Sequence, residues 1–293
     1  MNFTHLLAFY EVARAGSISA GAEKLRVSQP AVTREIKELE QRLGVMLFDR
    51  LPRGVTLTQA GDALHAYAER IFALSGAAEL ELKEFAGLSA GHLSIGASAT
   101  VGVYLVPETI AIFNARFPKV SVELTVANTE QVEEGLQVHK FSLGFIEGPY
   151  DEAIFEAKEI GADEIVAVAA VGHPLLRRKV SAHELASKRV IMRETGSGTR
   201  AVVEEAYAAQ GLTIEPVMSV SNTEAIKRML LSQHSIAYVS SLSVKDEIRR
   251  GDLVALSVKD LHIKRALHML WLRGRSFSPS TQAFLELSLQ QTA

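Results

Sequence analysis

The chain is predicted to be multidomain, with an all-α winged helix-turn-helix at its N-terminus and an α/β domain of two lobes at its C-terminus. Three observations carry this. Residues 17 to 50, SISAGAEKLRVSQPAVTREIKELEQRLGVMLFDR, read as two short helices, a tight turn and the entrance to a β-wing. Residues 58 to 85 lack proline and repeat apolar side chains at helical spacing. From residue 92 onward, strand patterns alternate with helix patterns, as in a sheet of parallel strands.

The N-terminal elements follow in order. A first helix over about Phe3 to Ala15 turns Leu6, Leu7, Tyr10 and Ala13 inward and stops at Gly16, a residue suited to the left-handed position past a helix end. Ser19 is the expected N-cap of a second helix through Leu25, and Ser28 that of a third, where Pro30 is tolerated because first-turn amides lack intrahelical partners. Val32, Ile36, Leu39 and Leu43 make one apolar stripe on the third helix, which Gly44 ends. MLFDRLPRGVTLT then alternates as two strands about a Pro-Arg-Gly turn.

The face opposite that stripe carries Gln29, Thr33, Arg34 and Lys37. Glutamine can pair with adenine and arginine with guanine through two hydrogen bonds each, while lysine and threonine suit phosphate oxygens. This chemistry reads a DNA duplex, with Arg50 and Arg53 of the wing near its backbone. The whole chain has a formal net charge of -3, and its first 58 residues carry an excess of only two positive charges. Phosphate attraction alone is therefore weak, and useful affinity calls for two or more copies acting together.

The helix from Thr58 to about Phe85 presents Ala60, Leu64, Tyr67, Ile71, Leu74, Ala78, Leu82 and Phe85 along one seam. About 28 residues at 1.5 Å each extend roughly 40 Å, more than a small domain covers, so the seam is expected to pair with a second copy. A core helix of the C-terminal domain is the alternative. GLSAG at 87 to 91 reads as the hinge.

In the C-terminal domain the expected order is a strand at HLSIGAS, a helix from Val103 to Phe117, a strand at VSVELTVAN, a helix from Glu130 to His139 and a strand at SLGFIEG. A long extended stretch from Phe155 to Ala170 leads to a second set: VIMRE, a helix from Thr199, PVMSVS, a helix from Asn222, IAYVSS, a helix near Val244, and LVALSV. RALHMLWLRG and a helix from Pro279 to Leu289 return to the first set. Two crossing strands thus join two lobes around a cleft. Strand ends that meet helix N-termini are the usual small-ligand sites of such sheets. Here they carry Ser98, Thr100, Thr129, Thr195, Ser197, Thr199, Ser221 and Asn222, with Arg193 or Arg200 as charge partners. They favour a small polar or anionic effector, although each hydroxyl or amide could instead simply cap its helix.

AEKLRVSQPAVTREIKELEQRLGVMLFDR followed by VTLTQAG closely resembles the LysR-type transcriptional regulators, and the architecture extends the resemblance over essentially the whole chain. It implies a DNA-binding domain at residues 1–58, a linker helix at 59–87 and an inducer-binding domain at 88–293 similar to periplasmic solute-binding proteins. In the last, one lobe spans about 92–161 and 267–293 and the other about 162–266. By resemblance, Gln29, Pro30, Thr33 and Arg34 face the groove, and Arg50 and Arg53 are wing contacts. A homotetramer assembled as a dimer of dimers is implied as well. Promoter DNA, a small-molecule effector and RNA polymerase are the expected partners, and activation the expected outcome. One departure is Gly21, where relatives usually have alanine; the change costs about 1 kcal/mol of helix propensity.

Other classes are set aside on chemistry. Zero cysteines exclude disulfides, thiolate nucleophiles and cysteine-ligated clusters. TGSGTR lacks the Lys-Ser/Thr ending of a phosphate loop, no G-x-S-x-G elbow occurs, and the nine histidines show no metal-ligand spacing. No catalytic residue, metal or cofactor is expected. No stretch approaches the roughly 20 apolar residues of a membrane span, and the N-terminus does not read as a secretion signal, so a cytoplasmic location is expected. A two-lobed solute-binding protein, or a small-molecule enzyme on the same fold, is the alternative function.

Overall fold

Asn2 caps α1 (Phe3–Ala15) by accepting the Thr4 amide at 3.0 Å, and Gly16 closes the helix in the left-handed region at φ 67°. The chain is described here from a computed structural model over residues 2–51, 54–85, 91–232 and 234–291. It forms two compact units, Met1–Ala78 and Glu79–Ala293.

In the first unit, α2 (Ile18–Leu25) starts at Ser17, not Ser19. The Ser17 hydroxyl accepts the Ala20 amide at 3.1 Å, while Ser19 lies inside the first turn and donates to Gln29 Oε1 at 3.2 Å. Ser28 caps α3 (Gln29–Leu43), and Gly44 ends it at φ 72°. The innermost α1 positions are Leu6, Ala8, Phe9 and Val12; Leu7, Tyr10 and Ala13 are half-buried. The helix is packed on two sides, with Tyr10 stacked on His65 and tilted against Phe72 of α4, so its deepest stripe is rotated from the expected one. Val32, Ile36 and Leu39 enter the same core, but Leu43 is 41% exposed because the chain turns away at Gly44. The buried place beside Leu39 belongs to Glu40, whose carboxylate accepts the Leu47 and Phe48 amides at 2.8 and 3.4 Å and so fixes the start of the wing.

Gly21 lies where α2 crosses α1. A methyl there would meet Val12 Cγ2 at 2.5 Å and the Val12 Cα at 3.0 Å, so glycine is what allows this approach. The wing is β1 (Phe48–Leu51) antiparallel to β2 (Gly54–Leu57). In α4 (Gln59–Phe85), Ala60, Leu64, Ala68, Ile71 and Phe72 pack onto the helix-turn-helix core, whereas Tyr67, Leu74, Ala78 and Leu82 are exposed. The expected seam therefore splits into an inward half and an outward half. The side chain of Phe85 and residues 87 to 90 of the expected hinge lie outside the described residues.

The second unit opens with β3 (His92–Ser98), α5 (Ala99–Tyr104), α6 (Val106–Arg116), β4 (Ser121–Ala127), α7 (Thr129–Gln137) and β5 (Leu143–Glu147). The single helix expected over Val103 to Phe117 is broken at Leu105 (φ −125°), because Pro107 has no amide to offer the Val103 carbonyl. The crossing strand β6 (Phe155–Ala170) leads through a 3-10 turn at Pro174–Arg177 to α8 (Ala182–Ala186), β7 (Val190–Met192), α9 (Gly198–Ala208), β8 (Met218–Ser219) and α10 (Thr223–Ser232). There follow β9 (Ile236–Ser240), α11 (Ser241–Arg250), β10 (Leu253–Ala255), the second crossing strand β11 (Ile263–Leu272) and α12 (Pro279–Gln291).

The strand order is β4-β3-β5-β11-β6-β9-β7-β8, with β10 paired to β6. The sheet is mixed rather than wholly parallel. Pairs β3–β4, β3–β5, β7–β9 and β7–β8 are parallel, but β6 and β11 run antiparallel to each other and to the strands they meet. Their ladder shifts register at Leu267/His268, opposite Gly161 at φ 147°. On one side of that shift lies a core of Leu93, Ile95, Phe113, Phe145, Met269 and Phe284; on the other lies one of Ile165, Val190, Val203, Tyr207 and Tyr238. Trp271 belongs to the first core, its Nε1 donating to Glu156 at 3.1 Å.

Candidate functional site

On α3 the two faces have separate work. Val32, Ile36 and Leu39 are buried, while Ser28, Gln29, Pro30, Arg34 and Lys37 are exposed along the N-terminal half and outer face; Thr33 is half-buried, its hydroxyl donating to the Gln29 carbonyl at 2.9 Å. The Arg34 side chain is 70% exposed and is held loosely by Glu35 at 3.5 Å and Glu38 at 3.8 Å. Such exposed pairs contribute about 0–1 kcal/mol and yield readily to a phosphate or a base edge. In β1 the Arg50 backbone pairs with Val55, but its side chain and all of Arg53 lie outside the described residues. One further cation stands near the helix. Arg26, at the end of α2, is exposed in the turn before α3 with φ 56°, a conformation the sequence did not signal.

Between the lobes, the expected effector residues do not line one cleft. They fall into a closed centre and two openings. At the centre the Arg265 side chain, fully buried, donates to Asp163 Oδ2 through Nε at 2.9 Å and Nη2 at 2.6 Å, to Thr199 Oγ1 at 2.9 Å and to Thr100 Oγ1 at 3.1 Å. Its Nη1 is 3.4 Å from Glu147 Oε1, and the Ser98 hydroxyl donates to the other Glu147 oxygen. Ser240 donates to Asp163 at 2.9 Å. Two buried carboxylates thus share one buried guanidinium. Burial pushes the Glu147 carboxyl above its usual range, against the pull of Arg265 and Arg193, and the Asp163 charge pushes the same way.

This centre also clamps the lobes together. The Gly198 amide at the start of α9 donates to Thr129 Oγ1 at 3.1 Å, and the Glu130 amide donates to the Gly196 carbonyl at 3.1 Å. A methyl on Gly198 would lie 2.2 Å from the Glu147 carbonyl oxygen. TGSGTR is therefore a docking turn against the first lobe.

To one side is a cleft of about 580 Å³ whose lining includes Thr100, Asn128, Arg193, Ser221, Asn222 and Thr223. To the other is one of about 350 Å³ with Thr129, Glu133, Thr195, Ser197 and Arg200 in its wall. Ser98 and Thr199 line neither; they belong to the Arg265 network. Asn222 accepts the Ala225 amide at 3.0 Å and so also acts as a cap. Arg193 is buried, with Nε and Nη2 on Glu194 at 2.8 and 2.9 Å and Nη1 on Thr223 at 3.3 Å; Arg200 pairs with Glu204 at 2.7 Å. In the smaller cleft burial, with like charge from Asp151 and Glu130, pushes the Glu133 carboxyl up to about 7.

Arg265, Asp163 and Glu147 were not singled out from the sequence, though strand parity carries a signal for two of them. In IKRALHM, alternation puts Arg265 on the buried side with Ile263 and Leu267, and Asp163 shares the buried side of β6 with Ile165. A charged residue at an inward position marks a paired, buried site.

Comparison with known proteins agrees with both halves. Residues 3–62 match the bacterial regulatory helix-turn-helix protein, lysR family, and residues 86–293 match the LysR substrate binding domain. Among named relatives, the RuBisCO operon transcriptional regulator of Allochromatium vinosum is 32% identical, covering 100% of this chain and 97% of its own. The HTH-type transcriptional regulator CbbR of Rhodospirillum rubrum is 34% identical, covering 94% and 92%. Among solved structures, full-length CbnR complexed with its target DNA superposes with a TM-score of 0.75 over 100% of both chains, at 23% identity. The regulatory domain of CcmR from Synechocystis PCC6803, in complex with 2-PG, does so with 0.63 over 69% of this chain and 97% of that one, at 26% identity. With a duplex-reading helix at one end and a two-lobed binding domain at the other, the chain belongs to the LysR family of DNA-binding transcriptional regulators and is not an enzyme.

Proposed function

We infer that α3 reads promoter DNA with Gln29, Pro30, Thr33 and Arg34 facing the groove, Ser28 and Lys37 placing it on the phosphates and Arg50 and Arg53 adding wing contacts, and that a small polar or anionic metabolite bound between the lobes alters that reading. The observation that carries this is the division of α3: Val32, Ile36 and Leu39 are buried while Gln29, Arg34 and Lys37 stand exposed together. The regulator works as an activator that engages RNA polymerase in the cytoplasm, in keeping with the relative named transcriptional activator CmpR in Synechocystis. Residues 1–58 bind DNA, 59–87 pair two copies, and 88–293 bind the effector. The outward Tyr67, Leu74 and Leu82 of α4 support pairing, and a dimer of dimers would present the several α3 copies that a weakly basic domain needs.

Of the two interlobe openings, the larger suits the effector better. Thr100 joins it directly to the Arg265 network, and the buried Arg193 guanidinium stands in its wall, so an anionic group arriving there competes with Glu194 for a desolvated cation. The test is selection of duplexes from a random pool, followed by affinity measurement at matched salt. Arg34→Ala is expected to lose about 1–3 kcal/mol of discrimination. Equal discrimination by variant and wild type would remove Arg34 from the reading.

A further inference from the structure

Behind the reading face, three metal-ligating side chains far apart in sequence come together. His5 stands in the first turn of α1, and Glu35 and Glu38 one turn apart on α3. A spacing of three puts both carboxylates on one side of the helix. His5 Nε2 lies 3.1 Å from Glu35 Oε2 and 3.3 Å from Glu38 Oε2, and the three ligand atoms lie within 4.8 Å of one another. Nδ1 of the same ring is buried without a hydrogen-bond partner among the described residues, so the imidazole directs its polarity at the carboxylates through Nε2. Nε2 thus faces two carboxylate oxygens at once.

The separations that suit a shared hydrogen bond also suit a bound ion. Nitrogen and oxygen ligands at about 2.0–2.1 Å from a tetrahedral zinc stand about 3.3 Å apart. The remaining oxygens also matter. Glu35 Oε1 and Glu38 Oε1 are the atoms that hold Arg34, at 3.5 Å from Nη2 and 3.8 Å from Nε, so the guanidinium and the imidazole engage different oxygens of the same two carboxylates. Magnesium and calcium prefer all-oxygen shells, whereas imidazole with two carboxylates suits zinc-like ions.

We propose that His5, Glu35 and Glu38 form a site for a divalent transition ion of the zinc class, with water completing the shell, and that loading it releases Arg34 towards DNA. The ion neutralises the two carboxylates that hold Arg34 and places its own positive charge beside the guanidinium. Metal on Nε2 requires the ring proton on Nδ1, where no acceptor stands among the described residues. Lack of such a buttress lowers affinity by about 10–100-fold, which fits an exchangeable ion rather than a structural one.

The experiment uses full-length protein stripped by chelator and titrated with Co²⁺. One equivalent per chain is expected, with the visible absorption of a four- or five-coordinate ion. His5→Gln and Glu38→Gln should each weaken uptake at least tenfold while keeping the far-UV spectrum and metal-free Tm of the wild type. On a selected duplex, Zn²⁺ should raise wild-type affinity several-fold, and Arg34→Ala should abolish the rise. No uptake, or uptake undiminished in both variants, overturns the site; duplex affinity indifferent to Zn²⁺ in a protein that takes up Co²⁺ overturns the link to Arg34. Should His5→Gln fail to fold, Glu38→Gln decides, because that side chain is half-exposed. Cobalt uptake is read without DNA, so its failure and failure of the DNA-binding reading are distinguishable.

Discussion

Glu40 shows how much a single polar side chain can decide. It sits among the apolar residues of α3, and its carboxylate holds the Leu47 and Phe48 amides. Glu40→Ala leaves both donors without that acceptor in a buried place, and a loss of about 1–3 kcal/mol is expected in denaturant unfolding of the full chain. Glu133 tests the opposite effect. Burial and like charge push its carboxyl up to about 7 in the folded protein, from an ordinary value of 4.5. A carboxyl raised on folding binds its proton more tightly in the native state, so its contribution is fully present below the unfolded value and lost as pH rises through about 7. Glu133→Gln should therefore flatten the fall in Tm between about pH 5 and 7; an unchanged slope would assign that fall to other groups.

At the scale of elements, two contacts depend on the shape of one residue. Gly21 lets α2 lie against the backbone of α1 at Val12. Alanine there gains about 1 kcal/mol of helix propensity but meets Val12 Cα as well as a movable methyl, and overpacking of this kind costs about 1–3 kcal/mol. Gly21→Ala is expected to lower the Tm. Gly198→Ala has a different signature, since its methyl meets the Glu147 carbonyl across the lobes. Loss of the Gly198–Thr129 hydrogen bond should open the interlobe centre, seen as faster amide exchange in α9 and at Glu130 with the core of each lobe unchanged. On α4, Leu74 tests pairing better than Ile71, which is half-buried against the helix-turn-helix core. Leu74→Glu should shift sedimentation towards the monomer at low concentration without lowering domain stability.

For the whole molecule, the interlobe domain is where binding and stability meet. A metabolite that binds only the folded form raises apparent stability by mass action, about 2.7 kcal/mol at a hundredfold excess over Kd. A thermal-shift screen of small anions against the wild type and Arg193→Gln is expected to give hits that the variant loses. Hits retained by the variant would move the effector away from the Arg193 cleft.

The helix-turn-helix was legible because periodicity and caps are local: the stripe of α3, the Ser28 cap and the stops at Gly16 and Gly44 are each set by neighbours within one or two turns. The two-lobed architecture was legible from the alternation of strands and helices and from the length of the extended stretch at β6. Pairing direction at β6 and β11, the rotation of the α1 stripe and the exposure of Leu43 were not, since each depends on a distant segment. The candidate sites divide in the same way. Exposed residues of α3 could be found by helical spacing, but the capture of Ser98, Thr100 and Thr199 by Glu147 and Arg265 joins residues up to 165 positions apart. His5 meets Glu35 and Glu38 only because α1 crosses α3. Sequence alone determined which segments coil and, for α3, where the helix starts and stops and which face is apolar, because those choices depend on short-range sterics and hydrogen bonds. Tertiary structure alone decided which polar groups are consumed by one another and which remain available to a ligand, because that depends on which charges are brought together away from water.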